Sequence, residues 1–146
     1  MIKMRFSVRP GQGEPSAFDL GDIVCEGESG TVGSTGHAPD QGMMIYPSVT
    51  LLLDCLRMLV IDGRKSVSFT GSDTSFRLDF RSNNKGLVLV SANGRLLGKS
   101  SIEDLAYAFL RPAQELADGG LSRLPAGDPV RSDYLSAVQE LRATVA

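Results

Sequence analysis

At 146 residues, 42% hydrophobic and 22% charged, the chain has the length and balance of one domain with its own core, which excludes wholesale disorder. A net charge of -2 and an isoelectric point near 5.3 argue against nucleic acid as a partner.

Residues 2–8 alternate strictly: Ile2, Met4, Phe6 and Val8 interleave with Lys3, Arg5 and Ser7, and Arg9 continues the polar phase. A period of two sends successive side chains to opposite faces, as in an antiparallel sheet covered on one side only. Charges recur where a secretory leader would be apolar. Pro10-Gly11, Gly13 and Pro15 signal a loop, and a second strand is expected at 22–26. Gly27, Gly30, Gly33 and Gly36 recur every third residue. So few triplets, without proline, make no collagen helix; the stretch reads as a turn near Gly30 and a return strand at 31–35. Residues 37–42 are loop-like. Ser48, after Pro47, is placed to cap a helix in which Val49, Leu52, Leu53, Leu56, Leu59 and Val60 follow the 3.6-residue period. Leu51, Cys55, Met58 and Ile61 widen its apolar face until only Thr50, Asp54 and Arg57 stay polar, so protein should nearly surround it. Interrupted by Asp54 and Arg57, it is too short to span a bilayer. A cytoplasmic protein without membrane contact is expected.

Past Gly63 a meander is predicted: a strand at 66–70, a turn at Gly71-Ser72-Asp73, and a strand at 74–81. In the latter, Phe76, Leu78 and Phe80 alternate with Ser75, Arg77, Asp79 and Arg81. A hairpin at 83–86 leads to a strand at 87–91, and Asn93-Gly94 signals a type I′ turn into a short strand at 95–98. Ser100 or Ser101 caps the next helix, with Glu103 or Asp104 completing a capping box. Its inward stripe is Ile102, Leu105, Ala106, Phe109, Leu110, Ala113 and Leu116, with Pro112 inside the run, and Asp118-Gly119-Gly120 ends it. Asp128 caps a last helix whose first position is Pro129. The expected fold is a single α+β domain over 1–146, two-layered, with a mainly antiparallel sheet of five to seven strands and about three helices on one face.

No motif points to catalysis. Gly94-Arg95-Leu96-Leu97-Gly98-Lys99-Ser100 approaches a phosphate-binding loop, but its first glycine comes one residue late and too little chain follows; it reads as a hairpin strand entering a capped helix. His37 is the only histidine, so a Ser-His-Asp or Cys-His arrangement must use it; Cys25 or Cys55 could approach it in space, but nothing local points to that. Asp73 and Asp79, six residues apart, would stand roughly 20 Å apart along a strand, too far for acid/base partnership. Cys25 and Cys55 form no Cys-x-x-Cys pair and read as buried free thiols. No enzyme activity, cofactor or metal is expected. Arginine outnumbers lysine 11 to 4, the usage of a GC-rich bacterial source.

The polar phase of the strands is cationic. If the first strand and the 74–81 strand share a sheet, Lys3, Arg5, Arg9, Arg77 and Arg81 share its solvent face, with Asp79 among them. Guanidinium forks suit carboxylates and phosphates. Phe6, Phe69, Phe76 and Phe80 all fall in the apolar phase, leaving no ring to stack on a base. These six charged residues are the candidate surface for another protein or for a second copy in a homodimer. The alternative is a small-ligand or enzymatic pocket beneath the Gly-rich segment 27–42, around His37, Asp40 and Tyr46.

Met43-Met44-Ile45-Tyr46-Pro47-Ser48, the leucine-rich helix and Phe76-Arg77-Leu78-Asp79-Phe80-Arg81 resemble a family of small actinobacterial proteins over roughly residues 38–142. That family is similar to immunity and other interaction proteins of polymorphic toxin systems. The resemblance implies a compact α+β protein that binds another protein, and it assigns no site residue.

Overall fold

The computed structural model describes residues 1–146 and realises the α+β class with three long helices and eight strands. The strands divide into two sheets. β1 (Lys3–Val8), β2 (Leu20–Gly27), β3 (Gly30–Gly33) and the two-residue β4 (Met43–Met44) form the first, with β2 at its centre. The second is a meander in chain order: β5 (Ser66–Thr70), β6 (Arg77–Ser82), β7 (Leu87–Ala92) and β8 (Arg95–Ser101). Every pairing is antiparallel. α1 (Ile45–Ile61) links the sheets; α2 (Ile102–Gly119), a 3-10 turn at Leu121–Arg123 and α3 (Pro129–Val145) complete the chain.

The single sheet expected for β1 and β6 is therefore replaced by two, for a reason of edges. β6 is hydrogen-bonded on both sides, by β5 and β7, and offers β1 no place. β1 has β2 on one side, and α2 faces its other edge across a groove. The sheets meet where β8 crosses the β2–β3 turn. There the Ser29 N–H donates to the Leu97 carbonyl at 2.8 Å. Gly27 lies so close to that carbonyl that a Cβ would collide with it.

α1 begins at Ile45, three residues ahead of the expected cap. The Asp19 carbonyl accepts the Ile45 N–H at 3.0 Å and so satisfies a first-turn donor. Pro47 then sits in the first turn, where its missing N–H costs nothing. Ser48 is buried, and its hydroxyl accepts the Ser72 N–H at 2.8 Å, fastening the β5–β6 connection to the helix. The polar stripe of α1 also differs from expectation. Asp54 and Arg57 are half-buried towards α3, where Arg57 meets Glu140 at 3.6 Å, while Leu51 and Ile61 are 46% and 54% exposed.

The remaining local signals hold closely. The Ser101 hydroxyl accepts the Asp104 N–H at 3.2 Å, and an Asp128 carboxylate oxygen accepts the Val130 N–H at 2.9 Å. Asn93 and Gly94 take φ of 53° and 77°, the left-handed pair a type I′ turn requires. β6 starts at Arg77, later than expected, because Asp73 turns left-handed at φ 62° and the Thr74 hydroxyl accepts the Phe76 N–H at 3.2 Å. Phe80 and Phe109 meet edge-to-face at 5.8 Å, joining the second sheet to α2. The Tyr134 hydroxyl donates to the Ala113 carbonyl at 2.6 Å, joining α3 to α2. Both cysteines are buried free thiols; burial pushes Cys25 up to about 12 and raises Cys55 as well, the latter donating to the Ser68 carbonyl at 3.6 Å. No helix is long and apolar enough to cross a membrane.

Candidate functional site

The two sheets split the cationic set. Lys3, Arg5 and Arg9 lie in one phase of β1 and its extension, opposite or diagonal to Glu26, Val24 and Asp22. Arg77, Asp79 and Arg81 lie on the second sheet, opposite Thr70, Ser68 and Ser66. The one shared face expected from their alternation is thus two separate surfaces.

Arg9 is consumed internally. Its Nε and one terminal nitrogen each donate to the Asp22 carboxylate at 2.9 Å, and its terminal nitrogens donate to Asp40 at 2.6 and 2.8 Å. Asp22 also accepts from the Ser34 hydroxyl at 2.7 Å, and Asp40 accepts the Gly42 N–H at 3.0 Å. The Arg9 fork, followed by the Ser34 hydroxyl, holds the Asp22 carboxyl below the usual range despite its burial. The same fork, then the Gly42 N–H, lowers Asp40 strongly, and the two carboxylates raise Arg9 in return. Two bidentate pairs leave this guanidinium no free fork for a partner. The cluster instead clamps the 35–42 segment to the end of β1.

The alternative pocket does not assemble. His37 meets the Gly33 carbonyl at 2.7 Å through Nε2 and is exposed. Asp40 is committed to Arg9. Tyr46 is 1% exposed, edge-to-face with Tyr134 at 6.2 Å, with its hydroxyl under Gly120. Tyr46 does border a cleft of about 440 Å³ between the end of β1 and the end of α2, together with Arg9, Asp19, Glu115 and Arg123. Burial, and then the Asp19 charge, raise the Tyr46 hydroxyl, opposed by Arg123. The cleft holds no histidine or thiol, so it offers hydrogen bonds and charge without a nucleophile–base pair. No three histidine, cysteine or carboxylate side chains gather in a metal-binding group.

The outer face of the second sheet is open. Its inner residues, Leu78, Phe80, Val88 and Val90, are buried, while Ser66, Ser68, Thr70, Arg77, Arg81, Leu96 and Lys99 are exposed on the other side. Asp79 accepts from the Ser68 hydroxyl at 2.6 Å and from Arg77 Nε at 3.0 Å, so Arg77 is matched. Arg81 and Lys99 belong to no ion pair. Register places them in one row across three strands, with Leu89 between them. Leu89 and Lys99 carry no clear sequence signal, because 87–90 is apolar in both phases, which hides the period, and because Lys99 stands in a string that imitates a phosphate loop.

The chain matches no protein-family model, no curated protein and no solved structure.

Proposed function

We propose that this chain is a non-enzymatic protein-binding module that docks through the outer face of the β5–β8 sheet, working in the cytoplasm of a bacterium. The row Arg81–Leu89–Lys99 carries the reading. It offers two cations outside any direct ion pair, Lys99 with Glu28 in its neighbourhood, astride a half-buried leucine on a face no helix covers. Such a row complements a protein with an acidic surface, where charge supplies encounter rate and specificity and the leucine supplies desolvated contact. A second copy presents the same positive row, so a face-to-face homodimer would set like charges together. The resemblance of residues 43–48, the leucine-rich helix and residues 76–81 to small actinobacterial proteins, a family similar in look to immunity and interaction proteins, agrees with the same class of work.

The test is a crosslinked pull-down from bacterial lysate with the native chain and with an Arg81→Glu/Lys99→Glu variant. One stoichiometric protein should be captured by the native chain and lost by the variant, with a larger difference at low salt. Equal capture by both would remove this face from the reading.

The 440 Å³ cleft at Tyr46 favours a second reading, a small-ligand site, because a buried hydroxyl and charges of both signs converge there. A ligand present at 100 times its dissociation constant would add about 2.7 kcal/mol of stability. A thermal-shift screen flat across nucleotides, sugars, amino acids and metal ions would rule against it.

A further inference from the structure

A groove of about 1060 Å³ runs between β1 and the outward side of α2. The ladder of the first sheet determines what main chain it exposes. The Arg9 N–H donates to the Leu20 carbonyl, so the residues of β1 in phase with Arg9 (Lys3, Arg5, Ser7) turn their peptide groups towards β2. Met4 and Phe6 therefore turn theirs the other way, towards an edge that no strand occupies. Across the groove, Pro112 carries no N–H, which deprives the Ala108 carbonyl of its helical partner. The β1 wall thus holds unused main-chain groups, and the α2 wall a carbonyl without its usual i+4 donor.

The side chains narrow the occupant further. Lys3, Arg5 and Arg111 line the groove together with Asp104 and Glu115, and none of the five is in an ion pair. The cations outnumber the carboxylates, both of which stand on α2, so the β1 wall is purely cationic. Arg5 stands on β1 and Arg111 on α2, so cations project from opposite walls. Phe6 is half-buried and Tyr107 is 57% exposed, giving the same groove apolar surface. The β1 edge of a second copy is a poor fit: it would bring its own Lys3 and Arg5 to the cations here, and its own α2 to the wall.

We infer that this groove receives an extended acidic segment of a partner protein. The segment adds main-chain hydrogen bonds to the Met4–Phe6 edge and sets a carboxylate between Arg5 and Arg111. This site is separate from the β5–β8 face and does not depend on it.

Random decapeptides displayed on phage and selected on the full chain test the inference. Enriched sequences should carry Asp or Glu at alternate positions. The strongest, labelled and followed by fluorescence anisotropy, should bind at least tenfold more weakly to an Arg5→Glu/Arg111→Glu variant. It should also weaken when alternate peptide amides are N-methylated, and bind normally to the Arg81→Glu/Lys99→Glu variant. Arg5→Gln/Arg111→Gln, checked by circular dichroism, gives the same ordering should the charge reversal perturb folding. Failure to enrich, enriched peptides without acidic residues, or binding indifferent to Arg5 and Arg111 would overturn the proposal. Binding lost with Arg81 and Lys99 would overturn it equally.

Discussion

Arg9 shows how neighbours decide what a charged residue can do. Its position in the polar phase of a strand was evident from alternation, but its engagement was not, because Asp22 and Asp40 lie 13 and 31 residues away in sequence. Only the fold brings those carboxylates to one fork, and the same fold divides the cationic set between two sheets. A titration follows. Asp22 titrates, when folded, below its ordinary value of 3.8, so its contribution to stability is complete above that pH and is lost as pH falls towards the folded value. Asp22→Asn should lower the melting temperature at pH 7 and flatten its decline below about pH 4. An unaltered acid limb, measured by calorimetry, would show that the clamp contributes nothing. Arg9→Met, leaving two carboxylates without their donor, should cost about 1–3 kcal/mol in urea unfolding.

The helices and strands themselves were largely legible because their signals are local. Ser101, Asp128 and Asn93-Gly94 act within a few residues of their own positions, and each does in the structure what its type suggests. α1 was less legible. Its start depends on the Asp19 carbonyl, and the burial of its polar stripe depends on where α3 lies. Asp54 carries the consequence. Burial, and then the Glu140 charge, raise its pKa, so the ionised form is disfavoured in the folded state. That penalty is absent below the ordinary value of 3.8 and complete once pH exceeds the raised one. Asp54→Asn should therefore raise the melting temperature at pH 7 and change little near pH 3. Leu51→Lys, on the exposed side of the same helix, should stay within about 0.5 kcal/mol of the native chain. Phe80→Ala, which removes the edge-to-face contact with Phe109, should cost about 3–5 kcal/mol.

At the scale of the whole molecule, the division into two sheets was hidden because strand patterns specify faces and leave neighbours open. Any strand with one apolar face suits either sheet; edges and crossings decide. Gly27 is where that decision is most sharply enforced. Gly27→Ala would press a methyl group onto the Leu97 carbonyl at the junction and should destabilise by about 1–3 kcal/mol. Gly119→Ala, in a helix with open space around it, should stabilise by up to about 1 kcal/mol. Equal effects in parallel denaturation curves would deny the junction its role.

The placement of α2 beside β1 also orders events in time. The strand comes from residues 3–8 and the helix from residues 102–119, so a nascent chain presents the β1 edge unscreened until that helix is made. During that interval the edge is a template for any other strand. The cations at Lys3 and Arg5 then act as gatekeepers, repelling a like strand until the helix arrives. One pair of residues thus guards the newborn chain against its neighbours before it has a finished groove to offer a partner.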